Sequence, residues 1–378
     1  MRARWPVLAL VVAVLAACTS TSEPVDATPT IVSEPAPSSD AVAEIDLPLA
    51  LSGLPVLDPG WDQVPQELDG HFLGLIHPEG DEPLRFVAAR DDGELLWQAE
   101  RPPSCTGFTL SRADGVPIAV LMDVEPGDET LTEVSATAYD LATGDLLWGP
   151  VPVPGPHQGP GAVFAPPAPG AAMGSTGPRA ALDPATGEIL VDEAAQDVVV
   201  VGEYDGVIVT AANGTLRAQG AATWEAPLAD VGLTAPPVAR AGVTPPEGTA
   251  LLVEPGQNAG PLIDLSTGEM LAEGVRDAAR EPVSGTLVTL EGDTAVGYPA
   301  SGERWEHPAE GARISAAGNL FAYLRTDSAV RAVNAVTGEL ATAYDEATTS
   351  PAVPVLVTAS GAAVVEGMDL ALVATHGP

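Results

Sequence analysis

The sequence predicts an all-β protein assembled from repeated small antiparallel sheets, and three observations carry that prediction. A strand–turn–strand pattern, complete at residues 138–148, recurs seven times along the chain. The turn glycines of the copies are Gly93, Gly144, Gly187, Gly220, Gly268, Gly302 and Gly338, a mean spacing of about 41 residues. The composition, with 39 Gly and 38 Pro in 378 residues and 4% aromatics, suits short strands joined by tight turns and suits long helices poorly. Strand-rich units at that period are the signature of a β-propeller of four-stranded blades. A single blade cannot bury both of its faces, so neighbours must bury them for each other.

The full copy shows what each residue type does. A strand ends at Asp140, a turn closes at Thr143 and Gly144, and a second strand ends on Trp148. The turn needs a residue that tolerates positive φ, which is glycine's role. Asp and Thr beside it can bond the turn amides. Leu147 and Trp148 supply apolar mass to the sheet faces. The other copies keep Asp91 with Gly93, Asp183 with Thr186 and Gly187, Asp264 with Thr267 and Gly268, and Asn334 with Thr337 and Gly338. A degenerate copy at residues 216–224 places Gly220 in the turn, and residues 297–305 place Gly302 there. Trp97, Trp148, Trp224 and Trp305 recur at the end of the second strand, where packing between blades is expected.

Apolar strand pairs precede most copies, at residues 197–201 with 206–210 and at 313–317 with 319–323. Runs apolar on both faces are expected between blades. Residues 161–173, rich in Pro, carry the weakest strand signal. After the seventh copy, residues 354–357, 362–365 and 370–373 read as three strands without a fourth. Residues 44–49 read as a strand with no partner of their own. If these supply the missing strand, the two ends of the chain close the ring together and remove its open edges. Residues 44–378 then hold eight blades, with seven the alternative.

Residues 1–17 have a basic start at Arg2 and Arg4 and an apolar run too short to span a membrane, which fits a signal peptide. The end of the run, Leu15-Ala16-Ala17-Cys18, resembles the lipobox of bacterial lipoproteins. The resemblance implies cleavage between Ala17 and Cys18 and lipidation of Cys18. Two acyl chains would anchor the chain stably to the extracytoplasmic face of the cell membrane. Residues 18–43, rich in Ser, Thr, Pro and acidic residues, read as a disordered tether. Cys105 is the other cysteine, so the mature chain has no pair for an internal disulfide.

The pattern Ala-x-Asp-x-x-Thr-Gly-x-x-x-Trp at residues 138–148 resembles the repeat of pyrroloquinoline-quinone-type β-propellers. The resemblance reaches from about residue 44 to the end of the chain. That family includes quinoprotein alcohol dehydrogenases and lipid-anchored, non-enzymatic propellers. The dehydrogenase branch implies an adjacent cysteine pair against the quinone, a calcium site and a catalytic Asp. No Cys-Cys pair occurs, and Asp91, Asp140, Asp183 and Asp264 sit in repeat turns. The non-enzymatic lipoprotein branch is therefore the one implied, with no cofactor.

Fifteen arginines, no lysine and 52 acidic residues give a net charge of −37. Such a surface repels nucleic-acid phosphates and anionic headgroups. His71, His77, His157, His307 and His376 are scattered, without metal-ligand spacing. No Gly-x-Ser-x-Gly, Walker-type or His-Glu-x-x-His element occurs. The expected function is a protein-binding or scaffolding module for envelope or secreted proteins, monomeric by default. The alternative is an exported hydrolase or lyase whose site is assembled at a channel mouth, with quinone-dependent oxidation the least favoured reading. Converging acidic or histidine groups at a channel would favour the enzyme; small and apolar walls would favour the binding module.

Overall fold

The computed structural model describes residues 27–39, 46–77, 80, 82–103, 105–126, 132–168, 176–345, 348 and 350–375. Cys18 and Ala17, with the rest of the signal segment, lie outside them, as do residues 44 and 45. The described chain is all-β, divided among seven antiparallel sheets. Among the described residues no helix is long and apolar enough to cross a membrane.

Most strands pair with their neighbours in sequence. Gln66–Leu68, His71–Ile76, Leu84–Arg90 and Glu94–Arg101 form the first sheet in that order. Phe108–Ala113, Val116–Pro126, Thr132–Asp140 and Leu146–Val153 form the second. The Pro-rich stretch yields the smallest, three-stranded sheet: Val163–Phe164, Ala180–Leu182 and Ile189–Asp192. Val199–Tyr204, Val207–Ala212, Thr215–Gly220 and Trp224–Pro227 follow as the fourth. The fifth has seven strands, from Val238–Ala239 to Trp305–Pro308. Its long central strand, Met270–Arg280, ends one four-stranded group and begins the next: residues 270–275 pair back to Gly260–Asp264 and 275–280 pair forward to Leu287–Glu291. Arg313–Gly318 to Leu340–Ala341 make the sixth sheet.

The last sheet joins both ends of the chain, through different residues from those expected. Its fourth strand is Val56–Leu57, which pairs with Leu372 and Val373. Leu49 instead lies in a short 3-10 turn, Leu49–Leu51, and Leu47 and Leu51 pack with Ala352, Val365 and Val373 beneath the sheet. The two prolines that flank this region, Pro48 and Pro55, leave only a short run free to pair. Part of the expected tether is also ordered. Thr30–Pro35 lies along the open edge of Glu94–Arg101, with Ile31 opposite Trp97. That edge offers unpaired backbone groups, and Thr-Ile-Val has the β-propensity to use them.

Every sheet shares an apolar cluster with its successor. Trp97 and Phe86 meet Leu121 and Leu141 between the first two; Trp148 and Ala138 meet Phe164 and Leu182; Val163 and Val191 meet Ile208; Leu216 and Val209 meet Leu252 and Ile263. Within the seven-stranded sheet Leu262 and Val275 share a cluster with Leu287, and Trp305 and Val288 pack on Leu324 and Val333. Tyr323 and Ala316 reach Val357 of the last sheet. The last sheet meets the first through Val364 and Leu372 against Phe72 and Val87. Trp61, the aromatic outside the repeat register, sits in that final cluster, 4% exposed. Its Nε1 donates to the Val87 carbonyl at 3.1 Å, and its ring occupies the space over Gly74.

The repeat residues are the joints of these contacts. Asp140 Oδ1 accepts from the amides of Ala142 and Thr143, the Gly144 amide donates to Asp140 O, and Thr143 Oγ1 accepts from the Asp145 amide. Asp183, Asp264 and Asn334 cap their turns in the same way, with Thr186, Thr267 and Thr337 accepting from the residue two places on. The tryptophan of the preceding unit then seats on the turn glycine. Trp97 lies over Gly144, Trp148 over Gly187, Trp224 over Gly268 and Trp305 over Gly338. Each indole donates to the carbonyl directly after the turn's Asp or Asn: Leu141 at 2.9 Å, Pro184 at 2.7 Å, Leu265 at 2.7 Å and Ala335 at 2.8 Å. A side chain at Gly144 would clash twice over, with φ at 74° and the Trp97 ring 2.9 Å from its Cβ position.

Two turn assignments change. Gly220 is the last residue of Thr215–Gly220, paired with Val207, and the turn follows it. A Cβ there would meet Gly206 O at 2.2 Å, so close backbone approach explains this glycine. In the shortened copy Asp92, not Asp91, accepts the turn amide of Glu94 and the Arg90 guanidinium; Asp91 uses its backbone to bind Gly70 and Thr375. Leu57, from the strand that completes the last sheet, fills the place over Gly93 that tryptophan fills elsewhere. Gly302 lies in its turn, at φ 124°. The strand after Gly144 does not end on Trp148 but runs on to Val153.

Candidate functional site: an arginine-lined cavity

The first strands of several sheets border a common cavity of about 930 Å³. Four arginines line it. Arg240 follows Val238–Ala239, Arg276 and Arg280 lie on Met270–Arg280, and Arg313 opens Arg313–Gly318. The opposite wall is Val355, Leu356 and Val357, with Glu366 beside them. Small residues, Ala278, Ala279, Ala316 and Ala317 among them, leave the space between the guanidinium groups open.

The sequence Arg-Asp-Ala-Ala-Arg at 276–280 builds much of this wall. A bulge at Arg276, between the Val275–Glu291 and Asp277–Leu290 pairs, breaks the two-residue alternation there; beyond it Ala278 and Arg280 share a face. Asp277 lies on the other face, where Oδ2 accepts the Ile314 amide at 2.8 Å and ties this strand to the next sheet. Burial raises the Asp277 pKa; the amides of Ile314 and Ala278 and the charges of Arg276 and Arg240 pull the other way. Arg276 Nε donates to Gly292 O at 2.6 Å and Nη2 to Ala309 O at 3.5 Å, and Arg280 Nη1 donates to Gly285 O at 3.3 Å, so backbone carbonyls engage part of each guanidinium group. Arg240 Nε is buried with no hydrogen-bond partner.

Among the described residues none of these four arginines forms an ion pair, and neither do Arg85, Arg179 and Arg331, whereas Arg90, Arg101, Arg112, Arg217, Arg304 and Arg325 each face a carboxylate. In a chain of 52 acidic residues and 15 arginines, four guanidinium groups on one cavity that bond backbone carbonyls at most, and no carboxylate, are a feature that ion pairing for stability does not explain. Of the two carboxylates on the lining, Asp277 is held by backbone and Glu366 is engaged by Arg325. The described lining contains no histidine or cysteine. Its chemistry is that of recognition of negative charge: planar donors that can clasp carboxylate or phosphate oxygens in pairs.

Two polar clusters lie on the first strands of other sheets, Phe108–Ala113 and Val199–Tyr204. Arg112 donates to both carboxylate oxygens of Asp69, at 2.7 and 2.8 Å, and to Glu247 at 2.7 Å, joining the first, second and fifth sheets' segments. The Arg112 bond holds Asp69 below the usual carboxylate range, and Arg112 itself is shifted upward. Glu203, 1% exposed, takes Ser111 Oγ at 2.7 Å, the Ala162 amide at 2.8 Å and the Gly206 amide at 2.7 Å. It thereby pins the second, third and fourth sheets. Burial pushes its pKa up to about 7 against those three donors.

The remaining candidates do not converge. His77 Nδ1 lies 2.9 Å from Asp62, His71 bonds the Asp69 carbonyl, and the half-buried His157 bonds Gly161 O, its pKa lowered by desolvation. His307 pairs across the sheet with Ala295, and His376 lies outside the described residues. Cys105 is buried. No group of three or more His, Cys, Asp or Glu able to hold a metal ion occurs among the described residues. The arginine cavity was missed by motif reading because its members come from three separate segments of the chain. The one signal was two arginines, Arg276 and Arg280, close together in one strand of an otherwise acidic chain.

No family model matches the sequence, and no curated protein matches it. Solved structures that resemble the fold include a eukaryotic initiation factor, 7% identical over 77% of this chain and 87% of that one, with a TM-score of 0.36. A candidate 6-phosphogluconolactonase of Bacteroides fragilis is 13% identical over 78% of this chain and 99% of that one, with a TM-score of 0.32. Similarity at this level decides neither topology nor function.

Proposed function

We propose that this chain is a lipid-anchored, extracytoplasmic β-propeller that works as a non-catalytic binding module at the cell envelope. The observation that carries the reading is the cavity wall: small and apolar residues with four arginines, rather than acid, base and nucleophile in mutual reach. An eight-bladed ring is supported by the sheet order, counting the seven-stranded sheet as two groups, and by the run of apolar clusters that leads from the last sheet back to the first. The strand shared by both chain ends at Val56–Leu57 supports it too. Such a ring presents two loop faces to envelope or secreted proteins and a channel to a smaller ligand. No cofactor is part of the proposal, and the net charge argues against nucleic acid as a partner.

Crosslinking in intact cells, with mass spectrometry of the co-purified proteins, tests the module: specific partners are expected. Turnover of a small molecule by the purified protein with no partner recovered would replace this reading with the exported enzyme. Cys18→Ala tests the anchor. The variant is expected to leave the membrane fraction, since a single residue carries both acyl chains, and retention of the variant on membranes would refute lipidation.

A further inference from the structure

We propose that the cavity bounded by Arg240, Arg276, Arg280 and Arg313 binds a small multivalent oxyanion, one with two or more carboxylate or phosphate groups. The inference rests on the binding-module reading and names its ligand class. Four guanidinium groups face two carboxylates on the lining, so the cavity is locally positive inside a chain of net charge −37. Holding like charges together costs free energy unless an anion neutralises them. The buried Nε of Arg240 lacks a hydrogen-bond acceptor, and a bound oxyanion supplies one.

Size and spacing set the valence. A volume of about 930 Å³ is at the upper end of ordinary small-molecule sites, too large for one carboxylate to fill. Arg276 and Arg280 are four residues apart on an extended strand, so their α-carbons are roughly 13 Å apart. Their guanidinium groups are held at Gly292 O and Gly285 O, at opposite ends of Leu287–Glu291, a spread that suits two acidic groups on one skeleton better than a single carboxylate. The acidic exterior does not prevent entry, because repulsion is screened beyond about 8 Å at physiological ionic strength. It favours compact anions over acidic proteins, whose many charges would meet the surface first.

Calorimetric titration of the full lipidated chain in detergent with citrate, pyrophosphate and acetate tests this. Saturable binding of citrate or pyrophosphate at low salt is expected, weakened by added salt, with acetate about tenfold weaker or more. The arm that binds separates a polycarboxylate from a phosphate ligand. Joint replacement Arg240→Gln and Arg313→Gln should weaken the bound probe about tenfold or more, since each charged hydrogen bond contributes. Arg217→Gln, on an ion pair with Glu225 in another sheet, should leave it unchanged. If the double variant loses its fold by circular dichroism, Arg313→Gln alone serves, because Arg313 is exposed. Silence of both probes, acetate binding as tightly as they do, or equal loss in Arg217→Gln would overturn the proposal. A crosslinked protein partner with both probes silent removes this inference and leaves the binding module. Turnover of a bound probe supports the site and removes the non-catalytic reading instead.

Discussion

Trp97→Ala is expected to lower the unfolding free energy by about 3–5 kcal/mol, the range for removing a large buried aromatic. Trp97 is 0% exposed, seated on Gly144, beside the Tyr139 ring at 6.3 Å and bonded to Leu141 O. Truncation leaves a cavity between the first two sheets and a carbonyl without its donor. Gly144→Ala attacks the same joint from the other side, through positive φ and the 2.9 Å approach to the ring. The two changes share one contact, so together they should cost less than the sum of their separate costs. Urea denaturation of the four proteins of this cycle measures both effects. A loss under about 1 kcal/mol for Trp97→Ala would mean that the joint adds little to stability.

Stability of the wild-type protein is expected to fall as pH rises from about 4.5 to about 7, in part through Glu203. The folded pKa, about 7, lies above the unfolded value near 4.5. Between these values the folded state binds more protons than the unfolded state, so stability decreases with pH and the loss is complete above the folded pKa. The contribution of this residue is at most about 3 kcal/mol. Asp205, Glu67 and Asp277 are also shifted upward, each mainly by burial, and add slope of the same sign. Glu203→Gln isolates the Glu203 part: its stability should change less over that interval than the wild type's. Glu203→Ala, which strands Ser111 Oγ and the amides of Ala162 and Gly206, should cost about 3–5 kcal/mol across the range. Urea midpoints at pH 4.5, 6 and 8 decide the matter, and an unchanged slope in Glu203→Gln would assign the pH dependence elsewhere.

Much of the local architecture was legible because it is encoded at short range. Asp140, Thr143 and Gly144 bond one another's backbone within five residues, so their spacing alone predicts the turn. The same reasoning misplaced Gly220 and gave Asp91 the role of Asp92, since in a degenerate copy the glycine is needed for backbone approach rather than for the turn. The shared terminal sheet was anticipated from a missing strand, but residues 56–57 supply it rather than 44–49. A two-residue strand carries no period for a pattern to reveal. The order in Thr30–Pro35 escaped notice for a related reason: its partner is an edge more than fifty residues away.

The sequence by itself determined the all-β class, the Asp/Asn-Thr-Gly turns at Gly144, Gly187, Gly268 and Gly338, the recurring tryptophans and the acidity of the chain. The turns follow from contacts made within a few residues, the tryptophans from the period of the repeat, and the rest from composition. Only the tertiary structure decided where Trp61 packs, which strand completes the last sheet, that Glu203 ties three sheets together, and that Arg240, Arg276, Arg280 and Arg313 face one cavity. Those outcomes depend on how whole sheets lie against one another. Charges from separate strands meet only after apolar faces far apart in the chain have been buried.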